Sequence, residues 1–440
     1  MSSDSPAPPG ADDERARVEP LPPLAPGSAS GYQPPQPPNA GEGRWSIEPR
    51  LGVVASYISN PQLRVTDAQA EDNVAVTADL PLRYDTDQMD FLLRPNGRRS
   101  NRQGYSSLAS NYEHLDATAQ FNSELDAATL LGAVARDSSL YYVGGLVHGI
   151  GVPRDSVNGS ANWTHSVTER QQVLLDASWT RVRYVEPSSF NAQVNYRYLS
   201  AGPTFSAAVS ERNTLKLLGT YGLYQSLNGL TESRSENLQM AFVRRLTEIW
   251  TLSASAGYSR SIDSQKLYQQ IPYGPFILGT VLVGVAKSNQ NGAVYAANFT
   301  RQGERFNLSI AASRALQPTG FAFLSRQDSL TLSASYILTE RWDFSAAAQW
   351  VRAANPIENT SGAALSGTES RTSYRNIQLA ANWHLTPQWM ISFSAARIMQ
   401  QYDGYTVPIP SAPALYIPSS NAGSTNISLT FTRQFWRTQF

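Results

Sequence analysis

From Trp45 to the C-terminus, apolar and polar residues alternate with a period of two, and no other feature of the sequence constrains the fold as strongly. In the first segment, Trp45 to Tyr57, most odd positions are apolar and most even positions are small, polar or charged. The same alternation recurs at 73–84, 156–167, 250–259 and 376–385. Because successive side chains of a β-strand point to opposite faces, the pattern predicts strands with one apolar and one polar face.

Apolar runs along the chain are short. The longest, Pro275 to Ala286, falls well below the roughly 18 consecutive apolar residues that a transmembrane helix needs. The sequence therefore argues against a bundle of transmembrane helices, and any membrane crossing has to be made by strands.

The connections between the predicted strands alternate between short and long. Short ones include Ser210-Glu211-Arg212, Thr339-Glu340-Arg341-Trp342 and Thr386-Pro387-Gln388-Trp389. The long ones are 137–154, 263–290, 354–368 and 403–423. This asymmetry is typical of bacterial outer-membrane barrels, which have tight periplasmic turns and longer extracellular loops.

These patterns predict an all-β fold over residues 44–440, a transmembrane antiparallel up-and-down β-barrel of roughly 18 strands, within a range of about 16 to 18. A soluble β-sandwich, repeat fold or propeller would also contain many short strands. Those folds make comparable connections at both ends of their sheets, which disfavours them here.

Residues 1–43 have a different composition, with many prolines and almost no aliphatic residues. Such a segment buries too little apolar surface to offset its ordering entropy, so we expect a disordered, proline-rich periplasmic arm. It also lacks the apolar core of a secretory signal, and we therefore expect the chain to be a processed or trimmed form.

Charged residues of both signs fall on the faces predicted to point inward. The lumen-facing candidates are Glu48, Arg50, Arg83, Arg94, Asp116, Asp176, Arg197, Lys216, Arg245 and Asp343. They form no ladder of a single sign, so they predict either a solvated wall with local ion pairs or a conduit that offers hydrogen bonds to a hydrated polymer. A change of phase around Gly202 and Pro203 predicts a bulge or bend in 198–209.

Two further segments suggest specific roles. The apolar stretch 271–285 contains Pro272, Gly274 and Pro275, and we predict either a constriction loop inside the barrel or an external loop that packs on its neighbours. Its candidate residues are Ile271, Tyr273, Phe276, Ile277 and Leu278. The chain ends on Phe440, which resembles the aromatic terminal signal read by the barrel insertion machinery, although Phe440 is out of phase with Phe435 and Phe431.

The sequence contains few features that would indicate catalysis, metal binding or nucleic-acid binding. Cysteine is absent, and no metalloprotease, serine hydrolase or phosphate-binding motif occurs. Only His114 and His384 fall on predicted inward faces, without partners at catalytic spacing. The chain contains 35 Lys and Arg residues and 35 Asp and Glu residues, so it has no net positive charge that would favour binding to nucleic acid. We expect no enzyme, no cofactor and no metal site.

The proline-rich arm, the segment Trp45-Ser46-Ile47-Glu48-Pro49-Arg50-Leu51-Gly52-Val53 and the aromatic terminus together resemble the β-barrel porin type 2 family. The resemblance spans 45–440 and implies an outer-membrane pore of a Gram-negative cell that exports a secreted polysaccharide with periplasmic export proteins. Outer-membrane lipid and lipopolysaccharide would surround such a barrel. The alternatives are a general diffusion porin for small hydrophilic solutes and a barrel-borne enzyme or adhesive scaffold.

Overall fold

The computed structural model describes residues 43–60, 69–101, 111–138, 153–185, 194–273, 276–318, 324–358, 364–402, 405–407, 415–417 and 419–439. All regular secondary structure in these ranges is β-strand. None of the described residues forms a helix with the length and apolar character needed to cross a membrane. The predicted arm and Phe440 lie outside the described residues, apart from Gly43, which immediately precedes the first strand.

The strands are, in chain order, β1 (Arg44–Ile47), β2 (Arg50–Ile58), β3 (Glu71–Asp79), β4 (Leu82–Asp85), β5 (Met89–Ser100), β6 (Tyr112–Asn122), β7 (Asp126–Ser138), β8 (Pro153–Thr168), β9 (Gln171–Tyr184), β10 (Tyr196–Ser210), β11 (Asn213–Ser226), β12 (Thr231–Arg245), β13 (Trp250–Tyr273), β14 (Phe276–Arg301), β15 (Phe306–Pro318), β16 (Leu324–Thr339), β17 (Trp342–Glu358), β18 (Ala364–Thr386), β19 (Trp389–Tyr402), β20 (Tyr405–Val407), β21 (Leu415–Ile417), β22 (Ser420–Gln434) and β23 (Thr438–Gln439).

These segments build a closed antiparallel barrel of 18 strands, which confirms the predicted fold class. From β4 to β19 each strand pairs with the next one in sequence, β3 also pairs with β5, and the pairings of β2 with β3 and β22 and of β19 with β22 close the wall. The short segments β1, β4 and β23 extend β2, β3 and β22, because β1 pairs with both β4 and β23. The β20–β21 pair is a separate two-stranded hairpin.

Prolines cause the interruptions in the first two strands. Pro49 separates β1 from β2, and Pro81 separates β3 from β4. Proline lacks the backbone N–H that a ladder needs, so pairing breaks at these residues. The neighbouring backbone groups are still satisfied, since Glu48 N donates to Pro81 O at 3.3 Å and Phe435 N donates to Pro49 O at 2.9 Å.

The two rims of the barrel differ as predicted. One rim carries turns of two to four residues, at 86–88, 123–125, 169–170, 211–212, 246–249, 302–305, 340–341 and 387–388. The opposite rim carries most of the longer connections. The first and last described strands, β1 and β23, lie at the short-turn rim, which corresponds to the periplasmic rim of an outer-membrane barrel.

The prediction of a long loop at 263–290 is wrong, because the described residues of this range continue β13 and β14 as a paired hairpin. Ile271 lies opposite Gly279, and Tyr273 lies opposite Phe276. The segment is rich in β-branched and aromatic residues, which favour strands, and the antiparallel pairing continues past Gly284 and Gly279 with a shift of register beside each. Ile277 and Leu278 belong to the same strand, and a role of the five candidates in constricting the lumen stays a prediction.

The two faces of the barrel wall differ in chemistry. In β2, Leu51 and Val53 are 48% and 49% exposed, whereas Val54 and Ser56 on the other face are buried. Large apolar residues are similarly exposed on one face of nearly every strand, whereas many small polar residues on the other face are buried. The exposed apolar face is the outer wall, which suits contact with lipid, and the other face lines the lumen.

Aromatic rings gather on the outer wall near the short-turn rim. Trp342 stacks on Trp383 with ring centroids 5.5 Å apart, and Trp250 stacks on Phe299 at 4.6 Å. Tryptophan is enriched where a membrane meets water, so these rings mark one interface of the bilayer.

Candidate functional site: the barrel lumen

The lumen is the candidate site, because the inner wall is the polar surface that the closed barrel encloses. Most of the predicted lumen residues share the strand face of the buried small and polar residues. These are Arg50, Arg83, Arg94, Asp116, Asp176, Lys216, Arg245 and Asp343. Glu48 lies in the break between β1 and β2, between Ser46 and Arg50 of that face.

Arg197 lies instead on the outer wall, which corrects its predicted position. It shares the face of Leu199 and Phe205, which are 43% and 44% exposed, and its Nε donates to Gln225 Oε1 at 2.7 Å. The sequence also predicted a bulge or bend in 198–209, around Gly202 and Pro203. The register of β10 with β9 instead runs without a shift through both residues, so the bulge is absent there and the alternation keeps its phase.

Two arginines of the inner wall near the short-turn rim are paired with carboxylates. Arg83 donates two hydrogen bonds to Asp90, from Nε to Oδ1 at 3.0 Å and from Nη2 to Oδ2 at 2.7 Å. Arg94 binds Asp79 in the same bidentate way, with both contacts at 2.7 Å. Bidentate pairing holds the guanidinium and carboxylate groups in fixed geometry and cancels their charges locally. This part of the wall therefore offers hydrogen bonds without a net field of one sign.

His384 on the inner wall is also held by a carboxylate. His384 Nε2 lies 2.8 Å from Asp343 Oδ2, and Asn382 donates to the other carboxylate oxygen at 2.6 Å. Among the described residues, no serine hydroxyl is recorded in hydrogen-bond contact with His384, so a hydrolase triad is not assembled around it. Within the same residues, no group of three or more His, Cys, Asp or Glu side chains could hold a metal ion.

A cluster of tyrosines lies on the inner wall near the other rim, and sequence analysis missed it. The tyrosine cluster consists of Val182, Tyr184, Tyr196 and Tyr224, which are 0 to 6% exposed, with Tyr198 packed against them. The rings of Tyr196 and Tyr224 stack with centroids 5.2 Å apart. The sequence feature that could have revealed the cluster is the pair Tyr196 and Tyr198, which lie two positions apart on a strand face that is otherwise polar. The grouping itself depends on the registers of three strands.

A row of polar residues continues from the tyrosine cluster along the wall. The register places Tyr198 opposite Tyr224, Tyr224 opposite Ser233, and Ser233 opposite Asp263. Asp263 is 8% exposed, accepts hydrogen bonds from Ser261 Oγ at 3.2 Å and Gln290 Nε2 at 3.3 Å, and has no cation at ion-pair distance among the described residues.

We define this row, Tyr198, Tyr224, Ser233 and Asp263, as the aromatic–polar arc. Aromatic rings and hydrogen-bonding oxygens side by side suit a ligand that has both apolar faces and hydroxyl groups. In this structure Tyr224 and Ser233 are both 0% exposed and Asp263 is 8% exposed, so the arc is covered by its neighbours and does not face a ligand in the lumen.

Comparisons with known proteins match the barrel shape alone. No family model matches the sequence, and no curated protein matches it. Among solved structures, the chain is similar to OpdQ of Pseudomonas aeruginosa, at 10% identity over 90% of this chain and 98% of that chain, with a TM-score of 0.43. It is also similar to OpdL of Pseudomonas aeruginosa, at 14% identity over 90% and 99%, with a TM-score of 0.41. A third similar structure is the ferric-catecholate import receptor Fiu of E. coli K12 in its open form, at 10% identity over 88% and 81%, with a TM-score of 0.43.

Proposed function

We propose that this protein is an outer-membrane channel that exports a secreted polysaccharide through its lumen. The observation that carries the channel function is the closed wall of 18 strands, apolar on its outer face and polar on its inner face. Barrels of 16 to 18 strands typically leave an aqueous channel, whereas those of about 8 strands are filled by side chains. A lumen enclosed by such a wall lets hydrophilic cargo pass without a catalytic group.

A hydrated, hydroxyl-rich polymer fits this inner wall better than a strongly charged solute does. The pairs Arg83–Asp90 and Arg94–Asp79 leave little net charge where they lie, so that part of the wall offers hydrogen-bonding groups without a strong field of one sign. The resemblance to the β-barrel porin type 2 family supports polysaccharide as the cargo, with periplasmic export proteins as partners of the N-terminal arm.

Deletion of the gene tests this proposal directly. Polysaccharide is measured outside the cell and in the periplasm, in the parent, in the deletion strain and in the strain complemented with the intact gene. We expect secreted polymer to fall and periplasmic polymer to rise in the deletion strain, and complementation to reverse both changes. Unchanged amounts in both compartments would contradict export, and would favour a general porin for small hydrophilic solutes.

A further inference from the structure

Three arginines lie side by side on the outer wall near the long-loop rim. Arg181 and Arg183 follow Trp179 on the outward face of β9, and Arg197 is the first outward residue of β10. All three arginines are exposed, and the register places Arg197 directly opposite Arg181. We call Arg181, Arg183 and Arg197 the arginine patch.

The patch lies at the level where the membrane ends. On the outward face of β9, only apolar residues separate Gln171, next to the short-turn rim, from Arg181. These are Val173, Leu175, Ala177 and Trp179. Along the barrel axis, ten strand residues at about 3.4 Å each, tilted by about 40°, span about 26 Å. Outer-membrane barrels present an apolar band of about 25 Å to lipid, so Arg181 lies at the membrane–water interface on the side of the long loops.

The positive charge of the patch is not balanced by its neighbours. Among the residues that the structure describes, no carboxylate is recorded at ion-pair distance from an arginine of the patch. Asp155 lies opposite Arg183, but it binds Arg136 at 2.8 Å. Arg197 donates to Gln225, whose amide is neutral. Like charges directly opposite each other destabilise a sheet, so the two opposed arginines repel each other unless an anion lies between them.

We infer that the arginine patch binds the phosphate groups of lipopolysaccharide in the outer leaflet. A guanidinium group binds phosphate through two parallel N–H donors, so a phosphate between Arg181 and Arg197 replaces their repulsion with two attractions. The wall below them presents Trp179 and Leu199, which are 38% and 43% exposed and suit the acyl chains of the same molecule. An inorganic anion gains nothing from that wall, which matches the surface to a phosphorylated lipid. This inference rests on the outer-membrane setting of the proposed function, and not on its cargo.

Native mass spectrometry of the purified barrel in detergent tests the patch. Diphosphoryl lipid A, the phosphorylated lipid part of lipopolysaccharide, is titrated onto wild type and onto a triple variant, Arg181→Gln with Arg183→Gln and Arg197→Gln. We expect the triple variant to bind lipid A about a hundredfold more weakly, because each arginine near an anionic membrane surface changes the affinity by roughly fivefold.

The control removes the same charge at the opposite rim. Arg170, Arg212 and Arg341 are exposed residues of the short turns. Arg170→Gln with Arg212→Gln and Arg341→Gln should change the affinity by less than about twofold, because these side chains lie at the other interface of the membrane. Heat-modifiable migration in SDS gels verifies that both variants are folded.

A second measurement needs no variant. The wild-type barrel is titrated with lipid A whose phosphates have been removed, and with phosphatidylglycerol. We expect both to bind at least about tenfold more weakly than diphosphoryl lipid A, because the first has no phosphate and the second has a single phosphodiester charge. Inorganic phosphate at the concentration of the lipid should not displace lipid A.

The outcomes separate the patch from the export of polymer. Equal affinity of wild type and the patch variant for lipid A, or equal binding of wild type to lipid A with and without its phosphates, would overturn the patch. Phosphatidylglycerol binding as tightly as lipid A, or displacement of lipid A by inorganic phosphate, would overturn lipopolysaccharide as the occupant. Each of these results leaves export standing, since the gene deletion tests it independently.

Discussion

At the scale of single residues, the β7–β8 pair shows how burial sets the value of an ion pair. Arg154 binds Asp137 at 2.6 Å on the inner wall, with an arginine side chain that is 4% exposed. Arg136 binds Asp155 at 2.8 Å on the outer side of the same two strands, with an arginine side chain that is 64% exposed. The two pairs have the same chemistry and lie on opposite faces, so they can be compared directly.

We expect Arg154→Met to lower the free energy of unfolding by about 3 kcal/mol, because it leaves the Asp137 carboxylate buried without its main partner. Arg136→Met should have little effect, because water already screens that pair. Urea unfolding in lipid vesicles measures both variants. Equal destabilisation by the two substitutions would show that burial does not determine the contribution of these pairs.

Gly202 allows a close approach of two strands that a side chain would prevent. A Cβ at this position would clash with the carbonyl oxygen of Gly219 and come within 2.8 Å of its carbonyl carbon. Both are backbone atoms and cannot rotate away. A β-carbon at Gly132 in β7 would meet nothing within 4 Å, which makes that glycine a matched control.

We therefore expect Gly202→Ala to destabilise the barrel by about 1–3 kcal/mol, the usual cost of overpacking, and Gly132→Ala to be neutral or slightly stabilising. The same urea unfolding assay compares them. If Gly202→Ala were as stable as Gly132→Ala, β10 and β11 would have to be further apart than the structure places them.

At the scale of elements, three of the short turns repeat one hydrogen-bonding device. Each begins with a threonine whose Oγ1 accepts from the backbone N–H groups two and three residues later, the second of which belongs to a tryptophan. In the turn of Thr339, Oγ1 accepts from Arg341 N at 3.2 Å and from Trp342 N at 3.1 Å. Thr247 and Thr386 make the equivalent contacts to Trp250 and Trp389. The tryptophan is thus fixed where the strand enters the membrane interface.

We expect Thr339→Val to lower the free energy of unfolding by about 0.5–1 kcal/mol, since it removes an acceptor of two exposed backbone donors that water can partly replace. Thr339→Ser keeps the hydroxyl oxygen and should retain most of the stability. Unfolding followed by tryptophan fluorescence measures both variants. Identical loss in the valine and serine variants would mean that the methyl group, and not the hydroxyl, stabilises the turn.

At the scale of the whole molecule, the arrangement of charge matters more than its total. Equal numbers of acidic and basic residues could still form single-sign rings, but the inner-wall arginines Arg83 and Arg94 each have a carboxylate partner. Where these two pairs lie, the wall should discriminate weakly between cations and anions, because selectivity needs an uncompensated field.

We expect the double variant Asp79→Asn with Asp90→Asn to shift the cation-to-anion permeability ratio toward anions by roughly twofold relative to wild type, since Arg94 loses its carboxylate partner and Arg83 keeps only Asp85, at 3.7 Å. Reversal potentials across a salt gradient measure the ratio. The control is Asp328→Asn, which breaks an arginine pair with Arg314 on the outer face. A shift in the control as large as that of the double variant would contradict the assignment of the inner wall.

The period-two pattern and the turn spacing were enough to predict the barrel, its two unlike rims and the approximate number of strands. These features depend on local rules, since alternation determines which side chains share a face and short turns force neighbouring strands to pair. The composition of each face then predicted which wall meets lipid and which encloses water. Most of the proposed lumen residues lie on the inner face for the same reason.

What the sequence could not determine depends on contacts between distant segments. Arg197 was placed on the wrong face because local phase around Gly202 and Pro203 was ambiguous, and only pairing with β9 resolves it. The extended β13–β14 hairpin depends on strand pairing that a Gly- and Pro-containing stretch does not reveal. The tyrosine cluster joins β9, β10 and β11, and no pattern within one strand specifies which residues of neighbouring strands meet.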